Sequence, residues 1–254
     1  MATRTRGRLA LSVVLVAVLV GAVSAFVVTR DDSTAAPTNA APTLAPVTTP
    51  TPEPEVPVST PLARPIGEIA AHDSPGGSQI STVGRWYGYE MTMPILEEDG
   101  DWLRIRLPER PNELTGWVRA GEVERAESPW RLVVDLSDTE VIVYRDGFEQ
   151  WRSPLGIGKD STRTPTGEYF VAVVEKPGRP GYGSVVLNLN AHSEDIWSWQ
   201  GAGDAIVAFH GPFGSEELLR AGGGKVSNGC LRMLPEDQEK LAPIPEGTPV
   251  TIRS

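Results

Sequence analysis

The order of apolar and polar positions divides the chain into four stretches. Leu9 to Val28 is an apolar run of 20 residues without a charge. A stretch follows in which Pro37, Pro42, Pro46, Pro50, Pro52, Pro54, Pro57 and Pro61 interrupt Thr, Ala and Val, with no period at all. Beyond it the period becomes two. Trp102-Leu103-Arg104-Ile105-Arg106-Leu107 alternates apolar with charged, the signature of a half-buried strand. Thr92 to Leu96 and Gly116-Trp117-Val118 read as further strands, with turns at Pro75-Gly76-Gly77 and Asp99-Gly100. Then come Trp130 to Leu136 and Glu140 to Arg145, with a turn at Asp146-Gly147, which predict a hairpin. Glu168 to Glu175, Ser184 to Asn190, Ala205 to His210 and Thr248 to Arg253 are also strand-like. Helical signals are short, at Ser215 to Ala221 and Pro235 to Leu241. In the second, Pro235 suits a first turn and Glu236 and Asp237 suit the positive end of the helix dipole. The pattern predicts a mostly β protein: a small β-barrel, then a second β-rich domain with short helices.

Residues 1–30 read as a membrane anchor or signal peptide. Arg4, Arg6 and Arg8 precede the apolar run, which is long enough to span a bilayer as a helix. The basic flank places the C-terminus outside the cell, whether the span is kept or cut near Ala25. Residues 31–63 read as a Pro/Thr-rich linker. At ~3.1 Å per residue, about 30 such residues hold a domain up to ~90 Å from the membrane. Residues 64–127 then form the small domain and 128–254 the second. In the small domain Trp86, Tyr87 and Tyr89 are expected as core and rim aromatics, with a binding platform as the alternative.

Composition narrows the partners. The chain carries 33 acidic and 23 basic side chains, a formal charge of −10, and no basic block, which argues against nucleic acid. Its one cysteine, Cys230, rules out a disulfide within the chain and a multi-cysteine zinc site. No metal or cofactor is expected.

That cysteine lies in Ser227-Asn228-Gly229-Cys230-Leu231-Arg232-Met233, and His210 ends a strand-like run before Gly211-Pro212. A thiol attacks carbonyls as thiolate, an imidazole can take its proton, and a third group can orient the ring. Backbone N–H groups of Gly229 and Cys230 are expected to hold a developing oxyanion. Spacing alone leaves the bland alternative open: an inert buried cysteine and a strand-end histidine. His192 is expected to be a loop residue.

Four motifs occur in order: Thr164-Pro165-Thr166-Gly167-Glu168-Tyr169, Phe209-His210-Gly211, Ser227 to Met233, and Glu246-Gly247-Thr248-Pro249-Val250. This series resembles the L,D-transpeptidase catalytic domain, the YkuD type. Asp101 to Ile105 followed by Gly116-Trp117-Val118 resembles bacterial SH3-like domains. The resemblances imply an SH3-like barrel ahead of a β-sandwich-like catalytic domain. They imply an extracytoplasmic, wall-facing enzyme acting on peptidoglycan stem peptides and open to covalent inhibition by carbapenems. Cys230 would attack the third-residue carbonyl of a donor tetrapeptide and expel D-alanine. Transfer to a neighbouring stem would give a 3→3 cross-link. His210 would be the base, oriented by the Gly211 carbonyl. Ser227, Asn228 and Arg232 would meet substrate. Asn228 stands where many members carry His, leaving His210 the only base within the motifs. A wall cysteine peptidase of the NlpC/P60 sort is disfavoured, because no histidine follows Cys230. A non-catalytic wall-binding scaffold and an L,D-carboxypeptidase remain as alternatives.

Overall fold

The computed structural model describes residues 53–199 and 203–254. The apolar run at 9–28, and the linker up to residue 52, lie outside the described residues. Among the described residues no helix is long and apolar enough to cross a membrane.

The first nine strands are β1 (Thr60–Pro65), β2 (Ile69–His72), β3 (Gln79–Val83), β4 (Arg85–Trp86), β5 (Tyr89–Glu90), β6 (Met93–Asp99), β7 (Trp102–Arg106), β8 (Thr115–Arg119) and β9 (Val123–Ser128). Seven of them form one sheet in the order β3-β2-β8-β7-β6-β1-β9, and β4 and β5 form a separate hairpin. β3 and β9 are the two edges of this ladder and do not pair with each other. The linker also ends earlier than its prolines suggest. β1 lies between β6 and β9, pairing Leu62 with both Pro94 and Ala126, and Leu62 and Ala63 are buried. Pro61 and Pro65 flank these two residues and hide a strand that begins at Thr60. The preceding turn docks as well. Glu55 N donates to Gly147 O at 2.8 Å, and Val56 packs on Val133, Ile142 and Tyr144.

The second half contains β10 (Trp130–Asp135), β11 (Glu140–Arg145), β12 (Phe148–Pro154), β13 (Gly156–Gly158), β14 (Gly167–Glu175), β15 (Val186–His192), β16 (Ile206–His210), α1 (Glu216–Arg220), β17 (Gly224–Ser227), β18 (Leu231–Arg232), α2 (Pro235–Gln238) and β19 (Pro249–Arg253). Its ten strands run β12-β11-β10-β19-β14-β15-β16-β18-β13-β17. Leu132 and Val134 from β10 share one core with Val207 and Phe209 from β16.

Strand β14 belongs to two cores. Side chains alternate across a strand, so Tyr169 and Val171 enter the core of the second half, while Phe170 and Ala172 enter that of the first. This explains why Tyr169 to Val174 is continuously apolar. Asn190 locks the seam: Phe170 N donates to its Oδ1 at 2.8 Å, and its Nδ2 donates to Leu107 O at 3.2 Å.

A polar latch extends the seam. Arg110 Nη2 lies 2.6 Å from Asp204 Oδ1, and its Nε lies 3.1 Å from both carboxylate oxygens. His192 contacts the same carboxylate through Nδ1 at 2.5 Å and Pro108 O through Nε2 at 2.6 Å. His192 is therefore not a loop residue. It ends β15, is buried, and serves the junction.

Candidate active site

Strands β16 and β18 are parallel, with His210 opposite Arg232. Met233 N donates to His210 O at 3.0 Å, which extends the register by one step. The residue before β18 is Cys230, and it lies along the same edge of β16. Its Sγ sits 3.8 Å from the Ile206 carbonyl, and the Ala208 N–H also bonds the sulfur. Cys230 is partly exposed.

The turn that presents the cysteine is held by two hydroxyls. Ser227 Oγ accepts from Gly229 N at 3.0 Å and donates to Cys230 O at 2.6 Å. Thr164 Oγ1 donates to Gly229 O at 2.8 Å and accepts from Gly158 N at 2.9 Å. Gly229 has φ of 118°, a conformation that favours glycine. The Gly229 N–H, expected as an oxyanion donor, is therefore spent inside the loop. Ser227, expected to meet substrate, is buried with its hydroxyl bonded on both sides. Thr164 was legible only as part of a motif; the structure gives the hydroxyl its task.

His210 is only 5% exposed. Its Nδ1 lies 2.8 Å from Gly211 O. Donation from Nδ1 leaves Nε2 as the acceptor of the neutral ring. Tyr182 and Phe213 wall the imidazole, each with its ring centre 5.3 Å away. Burial pushes the His210 pKa down to about 4; the bond to Gly211 opposes this and the Arg232 charge adds to it. Burial likewise pushes the Cys230 thiol up, against the pull of the Ala208 N–H and of Arg232. At neutral pH Cys230 is thus a thiol and His210 a neutral imidazole.

Arg232 has no carboxylate within ion-pair distance among the described residues, and its Nε is buried without a partner. Its guanidinium lies 5.7 Å from the centre of the Phe213 ring. Asn228 is exposed at the cleft edge.

The histidine wall has its own anchor, which the sequence did not signal. Gln238, fully buried on α2, donates from Nε2 to Tyr182 O at 2.6 Å and to Val185 O, and accepts from Ser184 N at 3.3 Å. Gly211 N donates to Tyr182 O at 2.9 Å. A Cβ on Gly211 would fall 2.5 Å from Gly181 O, so only glycine permits this approach.

His210, Cys230, Ser227, Asn228 and Arg232 all line one cleft of about 650 Å³. Among the described residues no three His, Cys, Asp or Glu side chains form a cluster that could hold a metal ion.

Residues 129–252 match the family model of the L,D-transpeptidase catalytic domain, YkuD. Over 126 residues the chain is 35% identical to the L,D-transpeptidase-type protein YkuD of Bacillus subtilis and 32% identical to that of Bacillus licheniformis. Each match covers 49% of this chain and 66% of the relative, so the chain spans about two thirds of the curated relatives' length. A solved L,D-transpeptidase from Mycobacterium tuberculosis is 16% identical with a TM-score of 0.43, covering 76% of this chain and 95% of that one. Residues 129–252 are therefore similar to the catalytic domain of the L,D-transpeptidase (YkuD) family.

Proposed function

We propose that this chain is an extracytoplasmic L,D-transpeptidase that cross-links peptidoglycan stem peptides through an acyl-enzyme on Cys230. One observation carries the reading. The single cysteine and a neutral histidine with a free acceptor nitrogen line the same cleft. The family match of residues 129–252 supports the substrate class.

In this reading the sulfur attacks the carbonyl of the third stem residue, forming the S–C bond as His210 Nε2 takes the thiol proton. The Cys230 N–H meets the oxyanion, since the Gly229 N–H is engaged by Ser227. Collapse breaks the C–N bond, and the departing D-alanine amine takes the proton from His210. A side-chain amine of a second stem then attacks the thioester, giving the 3→3 link, and His210 relays its proton back to the sulfur. Arg232, unpaired in the cleft, attracts a carboxylate of the substrate. Residues 1–30 hold the enzyme at, or pass it across, the membrane. The strained ring of a carbapenem meets the same nucleophile, giving a covalent adduct on Cys230.

The test is incubation of the chain with a stem tetrapeptide, with products weighed by mass spectrometry. D-alanine release with dimer formation is expected. Release without dimer makes the enzyme a carboxypeptidase, and no release from folded protein removes the activity.

A further inference from the structure

Five large aromatic side chains are exposed among the described residues: Tyr87, Tyr89, Trp197, Trp199 and Phe213. All five sit on or beside the catalytic cleft, whereas the other large exposed apolar side chains are aliphatic. Trp199 and Phe213 line the cleft itself. Tyr89 donates its hydroxyl to Glu175, a cleft residue, at 2.9 Å. The Tyr87 hydroxyl feels the charges of Asp204, also in the cleft, and Arg110. Trp197 is 74% exposed and covers the Arg110 guanidinium at 4.6 Å. The latch between the halves of the molecule is thus the floor on which the rim is mounted.

The rim is built at a cost. Tyr87 has φ of 51° at the tip of the β4–β5 hairpin, where Asn or Gly is the usual choice. A bulky residue held in that conformation is a mark of function, because the strain costs about 1–3 kcal/mol. Trp86 beneath it is edge-on to Tyr87 at 4.7 Å and to His192 at 6.5 Å, so the hairpin tip is fixed.

Rigid Tyr and Trp faces interleaved with carboxylates suit one kind of partner. Pyranose rings present apolar C–H faces that stack on aromatic rings, and hydroxyls and N-acetyl amides that donate to Glu175. Flat rings do not grip an aliphatic chain as a groove would. We propose that Tyr87, Tyr89, Trp197 and Trp199 form a saccharide-binding rim that seats an N-acetylated amino-sugar strand beside the catalytic cleft. The choice of sugar rests on the acyl-transfer reading above, in which the stem peptides hang from such a strand. The rim would hold the polymer while a peptide enters the cleft, raising the local concentration of donor.

The test uses the full chain in detergent and the neutral N-acetylglucosamine pentamer, followed by tryptophan fluorescence and calorimetry. Saturable binding is expected, weakened about tenfold or more by Trp197→Ala and by Tyr87→Asn. Tyr87→Asn removes the ring while suiting the positive φ, so a loss cannot be put down to strain. Trp197→Phe keeps a stacking face and should bind within about threefold of the parent. Cys230→Ala should bind as the parent does. If the pentamer binds in this pattern while no acyl-enzyme ever forms, the rim stands and the acyl-transfer reading falls. No binding by the parent chain, or undiminished binding by both ring-removal variants, overturns the rim.

Discussion

His210 donates its Nδ1–H to the carbonyl of its neighbour Gly211, 2.8 Å away. The bond fixes the tautomer, and burial keeps the ring neutral down to about pH 4. The acylation rate should therefore stay level from pH 8 to pH 5 and fall only near pH 4. Protonation removes the acceptor, so the loss comes on the acid side. A stopped-flow or mass-based rate profile with its acid limb at the ordinary histidine value, about 6.5, would show that the ring is not held as described.

Arg232 acts on both partners by its charge. It lowers the pKa of His210 and of Cys230 alike. Arg232→Gln should raise both. Alkylation by iodoacetamide, which needs thiolate, should slow at pH 8 in the variant, and the acid limb should move up in pH. Unchanged alkylation and an unmoved limb would leave Arg232 a packing residue.

Ser227 and Thr164 hold the cysteine turn. Ser227→Ala strands the Gly229 N–H and removes a bond to the Cys230 carbonyl. The expected cost is about 1–3 kcal/mol of stability. Turnover should fall by about tenfold or more, because the sulfur is no longer fixed. Thermal unfolding and single-turnover acylation, run on Ser227→Ala and Thr164→Val, check the two effects separately.

Gln238 steadies Tyr182 against the imidazole from the far side. Gln238→Ala leaves the carbonyls of Tyr182 and Val185 without this donor and loosens the wall that buries the ring. The His210 pKa should climb toward its ordinary value, visible in imidazole NMR shifts, and the acid limb should follow it. A variant that merely loses stability, with the His210 titration in place, would make Gln238 structural only.

Much of this was legible in the residues because the period is explicit. Trp102 to Leu107, Trp130 to Leu136 and Glu140 to Arg145 each contain a strand of the predicted kind, and both short helices occur where Glu216 and Pro235 mark their starts. His210 and Cys230 share a cleft, as their motif order suggests. Other features could not be read. β1 was hidden because Pro61 continues the proline run of the linker, although the strand begins at Thr60. The order of the first sheet was not legible either, because strand pairing between distant segments leaves no local trace. His192 looked like a loop residue because its acceptors, Asp204 and Pro108, are remote in sequence. Gln238 carried no signal at all, since a buried glutamine inside a short helix resembles an exposed one.

Removing the base is the most direct trial of the pair. Single-turnover acylation by a stem tetrapeptide, read as the mass of the Cys230 adduct, should be about 10²–10⁴-fold slower in His210→Ala than in the parent. Equal rates in the two folded proteins would contradict the account.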